Sequence, residues 1–182
     1  VAASLASLGM TASVKTGKKS SLIAFSNYGA SAIITGINQE ALKYIKRFSS
    51  LDLGLHYYNQ LSETTQFKIF NYTIKESYDF KLQSPSFSGL FEQRKLRNFT
   101  IGNFRKTRNK SEWTVNSGYS FSQTDFNFSK SDFEIDNQDV FGSINYQYYG
   151  DKWGLKTGIS YDDRTQDFKG TFAQYSFASG LS

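Results

Sequence analysis

Large apolar side chains recur at every second position over several stretches of this chain. In residues 113–121, written WTVNSGYSF, Trp113, Val115, Tyr119 and Phe121 take odd positions, while Thr114, Asn116, Gly118 and Ser120 take even ones. A period of two places alternate side chains on opposite faces of a strand. The same alternation sets Ala6, Leu8, Met10, Ala12 and Val14 against Ser7, Gly9, Thr11 and Ser13. It sets Leu51, Leu53, Leu55, Tyr57 and Leu61 against Asp52, Gly54, His56 and Gln60. Val140, Ile144, Tyr146 and Tyr148 form a further apolar parity, and so do Trp153, Leu155, Ile159 and Tyr161.

Three more segments, 20–30, 65–75 and 95–106, alternate less regularly and bring the expected strands to eight. In 65–75 the apolar parity switches from Phe67 and Ile69 to Phe70, Tyr72 and Ile74, which predicts a bulge.

Connections between these strands alternate in length. Short polar turns are expected at Thr16–Lys19, Ser62–Thr65, Thr107–Lys110 and Tyr149–Lys152, and long loops at 31–49, 76–93, 123–138 and 163–173. Alternating short and long connections are the pattern of an up-and-down transmembrane β-barrel with short periplasmic turns and long outer loops. Strands of roughly 9–11 residues cross a bilayer at a tilt, and globular strands average about 5–6. The expectation is therefore all-β: an antiparallel up-and-down transmembrane barrel, about eight strands of it here, forming part of a larger barrel.

On that reading Leu51, Leu53, Leu55, Trp113, Val115, Trp153, Leu155 and Ile159 face lipid, and His56, Asn116 and Lys156 face the lumen. A charged side chain on the lipid face at midplane costs about 2–4 kcal/mol. None of the five apolar parities above carries one.

Composition supports strands over helices. Among 182 residues 17 are Phe and 12 are Tyr, with a single Pro, and aromatic side chains suit a pleated surface. The mean hydropathy of −0.49 and the lack of any apolar run of about 20 residues exclude a spanning helix but not a barrel. With no cysteine, disulfides and thiolate sites are excluded. The formal charge of +5 is dispersed, with Lys18-Lys19 and Arg105–Lys110 in expected turns, so no nucleic-acid partner is expected. Val1–Leu8 carries no basic leader and reads as strand.

Three segments carry a style of strand and turn that points to a family: LSETTQFKIFNYTIKESYDF, RNKSEWTVNSGYSFSQTDF and NYQYYGDKWGLKTGISYDDR. Together they resemble barrel segments of TonB-dependent outer-membrane transporters, particularly the Bacteroidetes type, and the likeness spans most of residues 50–168. The resemblance implies nutrient import across the outer membrane, with the lipid bilayer, TonB, a plug and a surface lipoprotein as partners. Such transporters are 22-stranded and carry an N-terminal plug and a TonB box, and neither is visible in residues 1–182. The whole chain therefore reads as one interior segment of a barrel domain.

Candidate chemistry is sparse. His56 is the single histidine, and on a polar strand face it reads as a lining residue rather than a base, so no catalysis and no cofactor are expected. The loop expected at 125–139 gathers Asp132, Glu134 and Asp136 as calcium candidates, without the spacing of an EF-hand. Asn38–Phe48 has helical spacing of Leu42, Ile45 and Phe48 and fits a short loop helix or an extended loop equally. Asn71, Asn98, Asn109 and Asn127 head Asn-x-Ser/Thr sequences, at a frequency that chance explains. Two other classes stay open: a complete eight-stranded barrel with an adhesive or structural role, and a secreted β-sandwich binding carbohydrate through its tyrosines.

Overall fold

A computed structural model describes residues 2–3, 7–31, 45–84, 87–128 and 131–171. Among these, nine strands form one sheet: β1 (Ala2–Ala3), β2 (Ser7–Gly17), β3 (Ser20–Ala30), β4 (Ile45–Ser62), β5 (Thr65–Ser84), β6 (Phe87–Arg108), β7 (Ser111–Phe128), β8 (Ser131–Tyr149) and β9 (Gly154–Thr171). Spatial order equals chain order, and every neighbouring pair is antiparallel. The architecture is all-β and up-and-down, as the alternation predicts, with eight long strands and the two-residue β1. Among the described residues no ladder joins β9 to β1 or β2, so the sheet is an open wall.

The short turns fall where expected. Gly17 pairs with Ser20, Ser62 with Thr65 and Arg108 with Ser111, leaving two-residue turns. Asn109 closes one of them at φ 52°, a left-handed conformation that asparagine tolerates because its short side chain bonds locally.

The long connections are different from expectation. Residues 76–84 and 87–93 extend β5 and β6, 123–128 and 131–138 extend β7 and β8, and 163–171 belong to β9. Of the segment 31–49, residues 45–49 are strand, and 32–44 lie outside the described residues, as do 172–173. Phe48 and its three predecessors therefore open β4, and the rest of the helix considered for Asn38–Phe48 is outside the description. Alternation persists through these extensions with the apolar parity reversed. On β5 the apolar side moves from Phe67 and Ile69 to Tyr78 and Phe80, and on β8 from Val140 and Ile144 to Phe133 and Ile135. Reversed parity reads as a break in a linear sequence while the backbone stays extended.

The bulge expected in 65–75 is absent. β5 pairs in unbroken register with β6 throughout and with β4 from Gln66 to Asp79, past the parity switch at Ile69/Phe70; the shifts lie at the ends of β4, at Ile45/Arg47 and at Gln60/Ser62, where Leu61 is the extra residue. The parity switch is a change in which face is apolar, made on a regular strand.

Nothing in this sheet resembles a buried core. Among the described residues Ala30 is the one buried hydrophobic side chain, whereas Leu53 is 46% exposed, Ile144 46% and Ile159 73%. Along β7 the odd, apolar-side positions from Trp113 to Tyr119 are exposed, and the even positions between them are half-buried. On β7 the apolar parity is thus the more exposed one and the polar parity the more sheltered.

Candidate functional site

Register assigns every strand residue to one of two faces, because directly paired residues share a side. The first face carries Leu51, Leu53 and Leu55 on β4, Val115 and Trp113 on β7, and Leu155 and Ile159 on β9. Trp153 lies in the 150–153 turn, outside the strand expected for it, with its ring 5.1 Å from that of Tyr148, itself on the first face. His56, Asn116 and Lys156 all lie on the second face.

The apolar part of the first face is a band with an upper edge. Moving away from the short turns, charge or strong polarity begins after Leu51 on β4, after Phe121 on β7, after Val140 on β8 and after Tyr161 on β9. Following the paired rows, that edge moves three rows toward the turns over the five inter-strand steps from β4 to β9. With same-face rows about 6.7 Å apart and strands about 4.8 Å apart, the band crosses the hydrogen-bonded rows at about 40°.

One interruption of the band is closed upon itself. Asn71 Nδ2 donates to Thr100 Oγ1 at 2.7 Å and to Asn98 Oδ1 at 3.3 Å, and Asn98 Nδ2 donates to Thr73 Oγ1 at 2.6 Å and to Asn71 Oδ1 at 3.4 Å. Each amide spends both N–H groups within the cluster, which lowers the cost of placing polar atoms on an apolar face. Asn71 and Asn98, the first two sequon residues, are committed to this network.

The second face is layered. Nearest the turns it is polar: Asn103 Nδ2 donates to Asn116 Oδ1 at 2.7 Å, Asn116 Nδ2 to Ser143 Oγ at 3.0 Å, and Arg105 pairs with Glu112. Above this lies an aromatic layer, with Phe70, Tyr72 and Phe99 in mutual contact and Phe25 5.9 Å from Tyr72. Two glycines make room for it. A Cβ at Gly54 would sit 2.0 Å from the Phe25 ring, and one at Gly118 would sit 1.9 Å from Phe141. His56 belongs to this layer, its ring 6.4 Å from Phe70 and its backbone paired with Ile23 and Phe70. No carboxylate or hydroxyl is hydrogen-bonded to it among the described residues, so the arrangement holds no acid–base pair.

A charged belt follows, in which Arg164 Nε donates to Asp139 Oδ1 at 2.6 Å and Arg97 bonds Glu76 at 3.3 Å. The Arg164 hydrogen bond, with a second from Ser120, holds the Asp139 carboxyl below the usual carboxylate range. Beyond the belt a second aromatic row runs through Phe48, Tyr78, Phe80, Phe91 and Phe126, with ring centroids 5.1–6.2 Å apart. Burial pushes the Tyr78 phenol up, and its hydrogen bond to Glu76 at 3.0 Å adds to the shift.

Asp132, Glu134 and Asp136 stand at alternate positions of β8, on strand where a loop was expected. A strand spreads the three side chains over about 13 Å, too far for all three to converge on one ion. Lys169 Nζ lies 3.6 Å from Glu134 and 3.8 Å from Asp136. Among the described residues no three His, Asp or Glu side chains are grouped to hold a metal.

No family model matches the chain, and no curated protein matches it. Among solved structures it is similar to the ferric citrate transporter FecA in its unliganded form, with a TM-score of 0.65 and 11% identity. The match covers 90% of this chain and 30% of that one. The likeness is one of fold, and the chain spans less than a third of that transporter's length.

Proposed function

We propose that this chain is wall and lumen lining of an outer-membrane transport barrel that imports a nutrient by TonB-coupled gating. The observation that carries the reading is the exposed apolar band running at about 40° to the hydrogen-bonded rows. A flat bilayer produces this line on strands tilted about 35–45°. The fold likeness to a transporter and the strand-and-turn style shared with TonB-dependent transporters of the Bacteroidetes type support the same reading. The first face then meets lipid, with Leu51, Leu53, Leu55, Trp113, Val115, Trp153, Leu155 and Ile159 in or beside the band. The second face lines the lumen, where His56, Asn116 and Lys156 stand. The remaining partners are further barrel strands, a plug, TonB and a surface lipoprotein. No residue acts as a catalyst.

Nitroxides at residues 116 and 117 test the membrane assignment. The label at Ser117 is expected to collide with lipid-soluble oxygen and to be shielded from a polar relaxant, and the label at Asn116 to show the opposite. Equal access of both labels to the polar relaxant would sink it and leave the soluble sandwich standing.

A further inference from the structure

Just beyond the upper edge of the band, the first face carries charge sorted by strand. On β4, β5 and β6 it presents Arg47, Lys75, Lys81 and Arg94, with Asp79 and Glu92 set between them. In the corresponding rows of β7, β8 and β9 it presents mainly carboxylates, among them Asp125, Glu134 and Asp136. In the basic sector Arg47 Nε and Arg94 Nη1 share Asp79, at 2.9 and 2.5 Å, and the Asp79 side chain is only 8% exposed. That clamp fixes both guanidinium groups, and Glu92, 3.9 Å from Arg94 Nη2, brings the carboxylates beside them to two, so the free positive charge of the sector is that of its lysines. Lys75 and Lys81 are exposed and have no carboxylate partner among the described residues. Lys75 is paired in register with Leu51, the last residue of the apolar band on β4, and with Leu96 on β6.

We infer that the β4–β6 sector of the outer rim binds the phosphate of an anionic lipid headgroup. The inference rests on the first face meeting lipid. The Lys75 ammonium group, in the row of the last leucine of the band on β4, reaches headgroup depth, its stem following the apolar surface while its charge meets the phosphate. The Arg47 guanidinium, held by Asp79 and 60% exposed, adds N–H donors suited to phosphate oxygens. The carboxylate sector repels the same headgroup, so anionic lipid gathers on one side of this wall.

The test uses the full chain in phosphatidylcholine bilayers containing spin-labelled phosphatidylglycerol or spin-labelled phosphatidylcholine, and reads the motionally restricted component. Wild type is expected to prefer phosphatidylglycerol at least about fivefold, on the scale of one lysine at headgroup depth. Lys75→Gln with Lys81→Gln, which leaves the Asp79 clamp intact, is expected to reduce that preference at least about fivefold, and Lys169→Gln in the acidic sector is expected not to reduce it. A wild type without preference, or a double variant that retains it, overturns the inference. So does full competition by inorganic phosphate beyond that of chloride at equal ionic strength, which would mark a site for free phosphate. If no restricted component appears even with phosphatidylcholine, it is the membrane reading itself that has failed.

Discussion

At the scale of single residues, the most informative positions are small or polar ones whose neighbours explain them. Gly118 sits under the Phe141 ring and Gly54 under that of Phe25, so an aromatic side chain covers the backbone where a Cβ is missing. Gly118→Ala is expected to destabilise the wall by about 1–3 kcal/mol through overpacking. In a Phe141→Ala background most of that cost should vanish, and a denaturation cycle that finds additive effects would exclude the covering role. The Asn71–Thr73–Asn98–Thr100 network makes a second test. Asn98→Ala removes the partner of Thr73 and one partner of Asn71, and a loss of about 1–2 kcal/mol is expected in refolding titrations. An unchanged midpoint would mean that the network contributes nothing to stability. Neither feature is legible in the sequence: a glycine on the polar parity gives no sign of the ring that covers it, and the two Asn-x-Thr sequences occur at a frequency that chance explains.

At the scale of elements, turns and strands differ in how clearly local chemistry announces them. The 108–111 turn works because Asn109 accepts a positive φ. Asn109→Gly is expected to leave stability within a few tenths of a kcal/mol, and Asn109→Val to cost about 1–2 kcal/mol, because a β-branched residue is strained there. Equal stability of the two variants in thermal melts would argue against the left-handed conformation. The extensions of β5 to β9 were read as loops because their charges fall on the parity that is apolar lower down. Pairing along them is continuous, with Gln123 opposite Asp136 and Asn127 opposite Asp132. Amides of 123–127 and 132–138 in the β7–β8 ladder are therefore expected to exchange slowly in hydrogen–deuterium measurements. Exchange at the rate of free loops would refute the extended hairpin.

At the scale of the whole molecule, the slope of the band makes a prediction that no single strand makes. Leu55 on β4 and Asp163 on β9 lie in one continuous row through Asn71, Thr100, Tyr119 and Val140. If the band follows the bilayer, Leu55 is immersed while Asp163 is already above the surface. Leu55→Arg is expected to cost about 2–4 kcal/mol in folding into bilayers, and Asp163→Arg close to nothing. Similar penalties at both positions would mean that the apolar band does not mark a membrane.

Faces, strand number and the four short turns follow from local alternation and turn chemistry, which act between residues close together in the chain, and so they were legible in the order of amino acids. The placement of His56, Asn116 and Lys156 on one side and the leucines of β4 on the other is of this kind, since parity alone separates them. The lengths of β5 to β9, the regularity of 65–75 and the slope of the band were not legible. They depend on which residue of one strand stands beside which residue of the next, a relation set by pairing across the sheet. Pairing turns a reversal of parity into a change of face, draws Asn71 and Asn98 from two strands into one closed network, and aligns separate apolar stretches into a single oblique line.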